Sequence, residues 1–457
     1  MSLDQGRRSI ERNQVETNWS SVGLGERTAS DTSASVAQMM LPLVAHFFAD
    51  GLPVRFVFWD HSALGPEEGP GSVVLRSSAA LTRLLWSPDE LGMARAFVTG
   101  DLEVEGELFP VLAALHGAMT RARGFSPFAL LAGATAAARA GAVRRPPPRP
   151  KEELRLSGWR HSRKRDAAAI AHHYDVGNDF YRLVLGPSMT YSCARFEQPS
   201  ASLEAAQRSK HDLICRKLGL HERRHARLLD IGCGWGQMAM HAAAEYESHV
   251  VAVTLSEAQA VAARERVKKA GLEDLVEIRQ ADYRDLGGEV FDAISSIGMF
   301  EHVGAAHMDE YFNTIRALLE PHGRLLNHAI SSPGGSKMQG RTFMNRYVFP
   351  DGELIDVAGV LGAMERAGFE VRDLESLREH YSETLHRWVG NLEQHWEEAV
   401  ALVGDTRARV WRLYMAASAN GFDDGGIAVH QLLGVVPGRD GTSAMPRTRS
   451  AWSVPAS

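Results

Sequence analysis

Residues able to do chemistry gather first in Asp230-Ile231-Gly232-Cys233-Gly234-Trp235-Gly236. Leu228 and Leu229 lead into this stretch as a buried strand end that carries one acid. Three glycines at alternating positions allow a tight turn and a close approach of backbone N–H groups to a ligand. Met238 to Glu245 follows at helical spacing, which makes the segment strand, glycine turn, helix. Such a turn presents amides and a helix N-terminus to a nucleotide-like ligand. A dinucleotide fits poorly. That chemistry calls for G-x-G-x-x-G and an acid at the end of the second strand. Here the spacing is G-x-G-x-G, and the second strand ends in Thr254-Leu255-Ser256.

The elements that must position this turn alternate. Val250–Thr254 reads as a strand, Glu257–Ala270 as its helix, and Val276–Arg279, Phe291–Ile297 and Arg324–Ile330 as further strands. Alternation of this kind predicts an α/β fold, a doubly wound parallel sheet with helices on both faces. Ligands on such sheets lie at the carboxyl ends of the strands. The chain divides into a flexible tail (1–33), a smaller α+β N-terminal domain (34–140), a basic proline-rich linker (141–165), the main domain (166–437) and a second flexible tail (438–457). Within the N-terminal domain, 52–59 alternates as a strand, 72–76 is its partner, and helices fill most of 78–138. The linker carries Arg144, Arg145, Arg149 and Lys151, followed by Arg155, Arg160, Arg163, Lys164 and Arg165. It is either a solvated spacer or a patch that docks on anionic lipid headgroups.

A net charge of −6 gives no global reason to expect nucleic acid as a partner. Cys193, Cys215 and Cys233 have neither metal-ligand nor disulfide spacing, so no metal is expected and the thiols suit a reducing cytoplasm. Charged residues precede any apolar run, against a signal peptide, and Phe128–Ala138 is too short to span a bilayer.

Six ordered motifs between about 160 and 435 resemble the cyclopropane-fatty-acyl-phospholipid synthase and mycolic acid cyclopropane synthase family. They are His173–Tyr181, Met189–Cys193, Leu229–Gly236, Thr254–Gln259, Gly298–Gly304 and Glu379–Tyr381. The N-terminal segment also resembles the extra, lipid-binding-like domain of the bacterial phospholipid enzymes. The resemblance implies a Rossmann-like methyltransferase sheet and S-adenosylmethionine as methyl donor. It assigns the cofactor to Tyr191, Ser192, Asp230, Gly232, Gly234, Gly236, Thr254, Leu255 and Gln259, with Asp282 and Tyr283 flanking adenine. The competing reading of Asp230 is a cap on the following helix. The resemblance also places Cys193, Glu301, His328 and Tyr381, with the Ile330 N–H, around a bound bicarbonate ion.

The implied reaction begins when a cis alkene takes the sulfonium methyl and becomes a carbocation. A base then removes a proton from that methyl and the ring closes. A small anion held by hydrogen bonds suits an apolar tunnel, where ionised side chains are costly. His328 and Tyr381 can donate to it, and Glu301 would orient a neighbour or accept the proton. Phe343, Tyr347 and Phe349 would line the acyl channel, and the 331–337 loop is a lid, a headgroup contact or plain surface. Implied partners are phospholipid acyl chains at the inner membrane face; a homodimer stays open. After a hydride shift, loss of the proton without closure would give a 10-methylene chain, which a separate reductase would convert to a 10-methyl chain. One departure stands out: Ser418 occupies a position where the family usually carries cysteine. Two other readings are a soluble small-molecule N-methyltransferase and a non-catalytic lipid-binding protein.

Overall fold

A computed structural model describes residues 34–48, 51–121, 127–154, 176–337, 342–350 and 352–453. The 1–33 tail, the basic residues from Arg155 to Arg165 and His173–Asp175 lie outside the described residues. By their contacts the residues form two units: one from 1–85 and 101–146, the other from 86–100 and 147–457.

The smaller unit begins with α1 (Val36–Phe47), whose first turn is closed by a capping box between Ser35 and Gln38. Its sheet has the order β2-β1-β3-β4, from β1 (Arg55–Val57), β2 (Ala63–Leu64), β3 (Gly71–Leu75) and β4 (Leu102–Gly106). The expected pairing of 52–59 with 72–76 is present as the parallel β1–β3 ladder. Helix α4 (Leu108–Arg121) packs on β3 and β4, and α5 (Pro127–Arg139) packs on α1; α2 (Ser78–Trp86) precedes β4 in sequence, with α3 (Glu90–Val98) between them. The stretch expected to be helical thus contains a strand. Leu102 and Val104 are buried while Glu105 is exposed, a period of two that a short window hides.

The larger unit is built on a seven-stranded sheet. Its parallel members are β5 (Arg227–Ile231), β6 (His249–Thr254), β7 (Val276–Gln280), β8 (Phe291–Ile297) and β9 (Leu319–Ser331). A two-stranded ladder of β10 (Ser336–Lys337) and β11 (Glu353–Leu354) follows, so part of the 331–337 loop is strand. β12 (Glu370–Ser376) and β13 (Ala428–Val435) complete the order β12-β13-β9-β8-β5-β6-β7, with β13 antiparallel to both neighbours. The sheet is buried on both faces. Leu229, Ile231 and Val253 enter one core with Tyr311, Phe312 and Met364, whereas Leu228, Ala252 and Ile278 enter the other with Ile214, Met238 and Ala263. Neighbouring residues of one strand serve opposite layers, as the pleat requires.

Helices of this unit in chain order are α6 (Asn178–Leu185), α7 (Leu203–Leu218), α8 (Gln237–Tyr246), α9 (Glu257–Ala270), α10 (Met308–Ala317), α11 (Phe343–Tyr347), α12 (Val357–Arg366), α13 (Arg378–Gln394), α14 (Trp396–Val403), α15 (Asp405–Asp423) and α16 (Ser450–Ser453). Helix α3 packs on α15 and α11. The end of the proline-rich stretch is fixed as well. Arg95 donates to both carboxylate oxygens of Glu153 at 2.7 and 2.6 Å, and Leu154 N–H donates to the Arg346 carbonyl at 2.7 Å. The described part of 438–457 does not behave as the flexible tail the sequence suggests. Trp452 is 3% exposed, and Arg449 Nε forms an ion pair with Asp373 Oδ1 at 2.8 Å. Among the described residues no helix is long and apolar enough to cross a membrane.

Candidate active site

The turn after β5 is tied to the end of β6, because the Gly232 and Cys233 N–H groups both donate to the Val253 carbonyl at 3.0 Å. Gly232, Gly234 and Gly236 have φ of +74°, +53° and +80°, the left-handed region that favours glycine. A Cβ on Gly232 would lie 3.0 Å from Met299 Cβ, while one on Gly234 would meet nothing within 4 Å. The backbone at Gly234 therefore opens onto free space. From behind, Arg266 donates to the carbonyls of Trp235 and Ser188 at 2.8 and 2.9 Å, and the Trp235 indole donates to Asn178 Oδ1 at 2.8 Å.

Gly236, not Asp230, is the N-cap of α8. Asp230 is buried. Its Oδ1 accepts from Ser295 Oγ at 2.8 Å, and Oδ2 has no partner. Burial pushes this carboxyl up to about 6. Such an acid gains most from a cationic ligand.

A cleft of about 940 Å³, counting its open mouth, crosses the carboxyl ends of β5 to β8. Gly232, Gly234, Thr254, Leu255, Gln259, Asp282 and Tyr283, seven of the residues singled out in the sequence, line it together. Tyr191, Ser192, Asp230 and Gly236 stand off its walls. Thr254 Oγ1 donates to Gln259 Oε1 at 2.8 Å. The Asp282 carboxylate takes two bonds from the Arg284 guanidinium, at 2.9 and 2.6 Å, so it carries a compensated charge. The Tyr283 ring is held edge-on to Tyr311 at 5.7 Å. Met299, His302, His307 and Glu310 also line the cleft and were not foreseen as site residues. Met299 and His302 were within reach, since both sit in the motif at 298–304.

The residues expected around an anion arrive in two groups at the same edge of the sheet. In the first, Glu301 Oε1 accepts the Ile330 N–H at 2.7 Å. The amide expected to face the anion is therefore engaged by the carboxylate, because the 298–303 turn folds back onto the end of β9. Glu301 is half-buried as a residue, but its Oε2 is out of reach of solvent and has no partner. Burial pushes its carboxyl up to about 7. His328 is 1% exposed, with Nε2 unpartnered and Nδ1 at 3.3 Å from Gln431 Nε2. Burial, with Lys210 and Lys217 nearby, holds His328 well below the ordinary histidine range, so the ring is neutral.

In the second group, the Leu377 carbonyl accepts the Tyr381 N–H at 3.0 Å and the Cys193 thiol at 3.6 Å. The thiol also lies 3.1 Å from the Ala194 carbonyl, and burial keeps it protonated. Cys193 is thus directed at carbonyls rather than at an anion. Leu377 N–H donates to Val429, which pairs with Ile330, so the backbones that carry the two groups lie two strand spacings apart, about 10 Å.

An aromatic cluster adjoins them. Tyr191 packs against Tyr181, Trp388 and Trp411 at 5.7, 5.3 and 5.9 Å, and its hydroxyl is 2.9 Å from that of Tyr414. Phe349 bridges Tyr414 and His302 at 5.6 and 6.3 Å. Phe343 and Tyr347 are buried against each other at 5.3 Å, and Ser418 is buried on α15. Ser192 Oγ accepts from Lys210 Nζ at 2.9 Å. Lys210 is fully buried and burial lowers it to about 7; nothing in its helical sequence marked it.

Residues 161–432 match the family model described as mycolic acid cyclopropane synthetase. The chain is 40% identical to the probable fatty acid methyltransferase Rv3720 of Mycobacterium tuberculosis, over 89% of this chain and 97% of that one. It is 37% identical to the cyclopropane-fatty-acyl-phospholipid synthase of Escherichia coli strain K12, covering 62% of this chain and 73% of the relative. The solved cyclopropane synthase MmaA2 from Mycobacterium tuberculosis aligns with a TM-score of 0.55 and 32% identity, over 60% of this chain and 98% of that chain. A second solved structure, the mycolic acid cyclopropane synthase CmaA1 complexed with SAH and CTAB, gives 0.55 and 33%, over 59% and 98%. A doubly wound sheet, a glycine turn beside an open cleft and these likenesses lead to one conclusion: the chain belongs to the mycolic acid cyclopropane synthetase family and is an S-adenosylmethionine-dependent methyltransferase of lipid acyl chains.

Proposed function

We propose that the enzyme methylates the cis double bond of an unsaturated phospholipid acyl chain and closes the product to a cyclopropane. One observation carries this reading: a buried carboxylate oxygen, Glu301 Oε2, has no partner inside an apolar, aromatic site. Loss of a proton from a newly attached methyl needs an acceptor within the site, and this oxygen can be one.

S-adenosylmethionine supplies an electrophilic methyl on sulfonium sulfur. The open backbone at Gly234, the neighbouring Gly232, the Thr254–Gln259 pair, Leu255 and Tyr283 would hold it, with Asp230 Oδ2 the buried acceptor for its cationic end. The rings of Tyr191, Trp388 and Trp411 exclude water, and their faces favour positive charge on the alkene carbons after the methyl has bonded. Bicarbonate held by His328 Nε2 and the Tyr381 hydroxyl would supply a base in place of an ionised side chain. Glu301 Oε2 would then take the proton on from the bicarbonate, since a carboxyl near 7 exchanges it readily. Ring closure then consumes the C–H electron pair. The buried Ser418 needs no nucleophilic part in this sequence of events. The smaller unit and the basic residues of 141–165 would bring the enzyme to anionic headgroups on the cytoplasmic face of the membrane.

A second product is favoured by one relative. The tuberculostearic acid methyltransferase UfaA1 of Mycobacterium tuberculosis is 33% identical over 87% of this chain. A hydride shift before proton loss would leave a 10-methylene chain for a separate reductase. Gas chromatography–mass spectrometry of lipids from a host expressing the protein separates the two, with a cyclopropane chain expected. A methylene chain replaces the first reading with the second. Unaltered unsaturated chains beside folded, cofactor-supplied protein refute both.

A further inference from the structure

His328 can donate or accept at the unpartnered Nε2, depending on where its single proton sits. The surrounding hydrogen bonds settle the matter from a distance. Lys217, on α7, is 1% exposed; its ammonium forms an ion pair with Asp373 Oδ2 at 3.0 Å and donates to Glu375 Oε2 at 2.5 Å and Gln431 Oε1 at 2.9 Å. An ammonium only donates. The Gln431 atom facing it must therefore be the carbonyl oxygen, and the amide nitrogen is turned the other way. Gln431 is fully buried and opposes His328 in the β9–β13 register, with Nε2 at 3.3 Å from His328 Nδ1. An amide nitrogen cannot accept, so Nδ1 presents its lone pair and the ring proton lies on Nε2.

We infer that Gln431, oriented by the buried ammonium of Lys217, is a positioning residue that fixes His328 as the Nε2–H tautomer and so makes it a donor into the site. The inference rests on the proposed part of His328 in holding an anion, and it excludes His328 Nε2 as the base. The relay continues outward. Asp373 also forms an ion pair with Arg449 at 2.8 Å, so the C-terminal segment anchors its far end.

The test is ring-nitrogen NMR on the full chain with ¹⁵N-labelled histidine, at about pH 8 where an unperturbed ring is neutral. The His328 signal is identified among nineteen histidines by its absence in His328→Gln. In the wild-type protein Nε2 is expected to carry the proton and Nδ1 to be bare; a proton on Nδ1 overturns the inference without any variant. Gln431→Glu places a carboxylate oxygen against Nδ1, which should move the proton to Nδ1. Turnover should then fall by roughly 100-fold or more, with S-adenosylmethionine affinity retained, because a wrong tautomer defeats catalysis in an intact site. Gln431→Met removes the constraint, and both tautomers should appear. An unmoved proton in folded Gln431→Glu overturns the inference. A moved proton with unchanged turnover upholds the positioning and instead removes His328 from the proposed mechanism.

Discussion

Replacing Glu301 by glutamine should make the protein more stable at alkaline pH while depriving it of turnover. The glutamine Oε1 can keep the bond from the Ile330 N–H, now 2.7 Å long, and Nε2 occupies the site of the unpartnered Oε2. Shape is preserved and ionisation is lost. A carboxyl moved from 4.5 to about 7 prefers its protonated form by roughly 3 kcal/mol. The sign follows from proton counts. Between the unfolded and folded values the native state holds a proton that the unfolded state has lost, so stability falls as pH rises through this window and is lowest above about 7. Glutamine escapes that penalty. Denaturant melts from about pH 5 to pH 8 should show the Glu301→Gln advantage growing with pH, to at most about 3 kcal/mol. In parallel, turnover should drop by roughly 100-fold or more if Oε2 accepts the proton. The wild-type rate should rise as pH passes about 7, and the variant should lose that limb. An advantage independent of pH would refute the buried ionisation, and wild-type turnover in the variant would refute its use.

Two further outcomes follow from the geometry. Gly232→Ala adds a methyl at φ +74°, 3.0 Å from Met299 Cβ on the cleft wall. Isothermal titration should show S-adenosylmethionine binding weakened about tenfold, from a strain of about 1–2 kcal/mol; unchanged affinity would mean that the turn does not touch the cofactor. Trp452→Ala empties a position that is 3% exposed and should cost about 3 kcal/mol in denaturant unfolding, whereas a loose tail would show no change.

What the sequence reveals of this fold depends on how local each cause is. Strands β5 to β9 were legible because burial on both faces demands near-continuous apolar runs such as Val250–Thr254. Strand β12 was not: Glu370-Val371-Arg372-Asp373 offers no apolar run, and its buried Asp373 is compensated by Lys217 and Arg449 from elsewhere in the chain. The glycine turn announced itself, since its conformation is fixed by residue type. The capture of the Ile330 amide by Glu301 was invisible, because it joins residues 29 positions apart through a tertiary turn. Lys210 and Lys217 likewise sit in a helix that reads as a solvated surface; only partners from other elements make their burial tolerable.

Helix α3 bears on how such an enzyme can be dissected. Residues 86–100 belong by contacts to the larger unit, although the sequence on either side belongs to the smaller one. The covalent thread therefore passes between the units three times, and no single cut separates them cleanly. Cleavage in the proline-rich stretch would free a catalytic piece lacking α3, with Glu153 robbed of Arg95 and the Phe343 amide robbed of Glu90. Evolutionary loss of the accessory unit would demand the same repair, a new cover for α11 and α15.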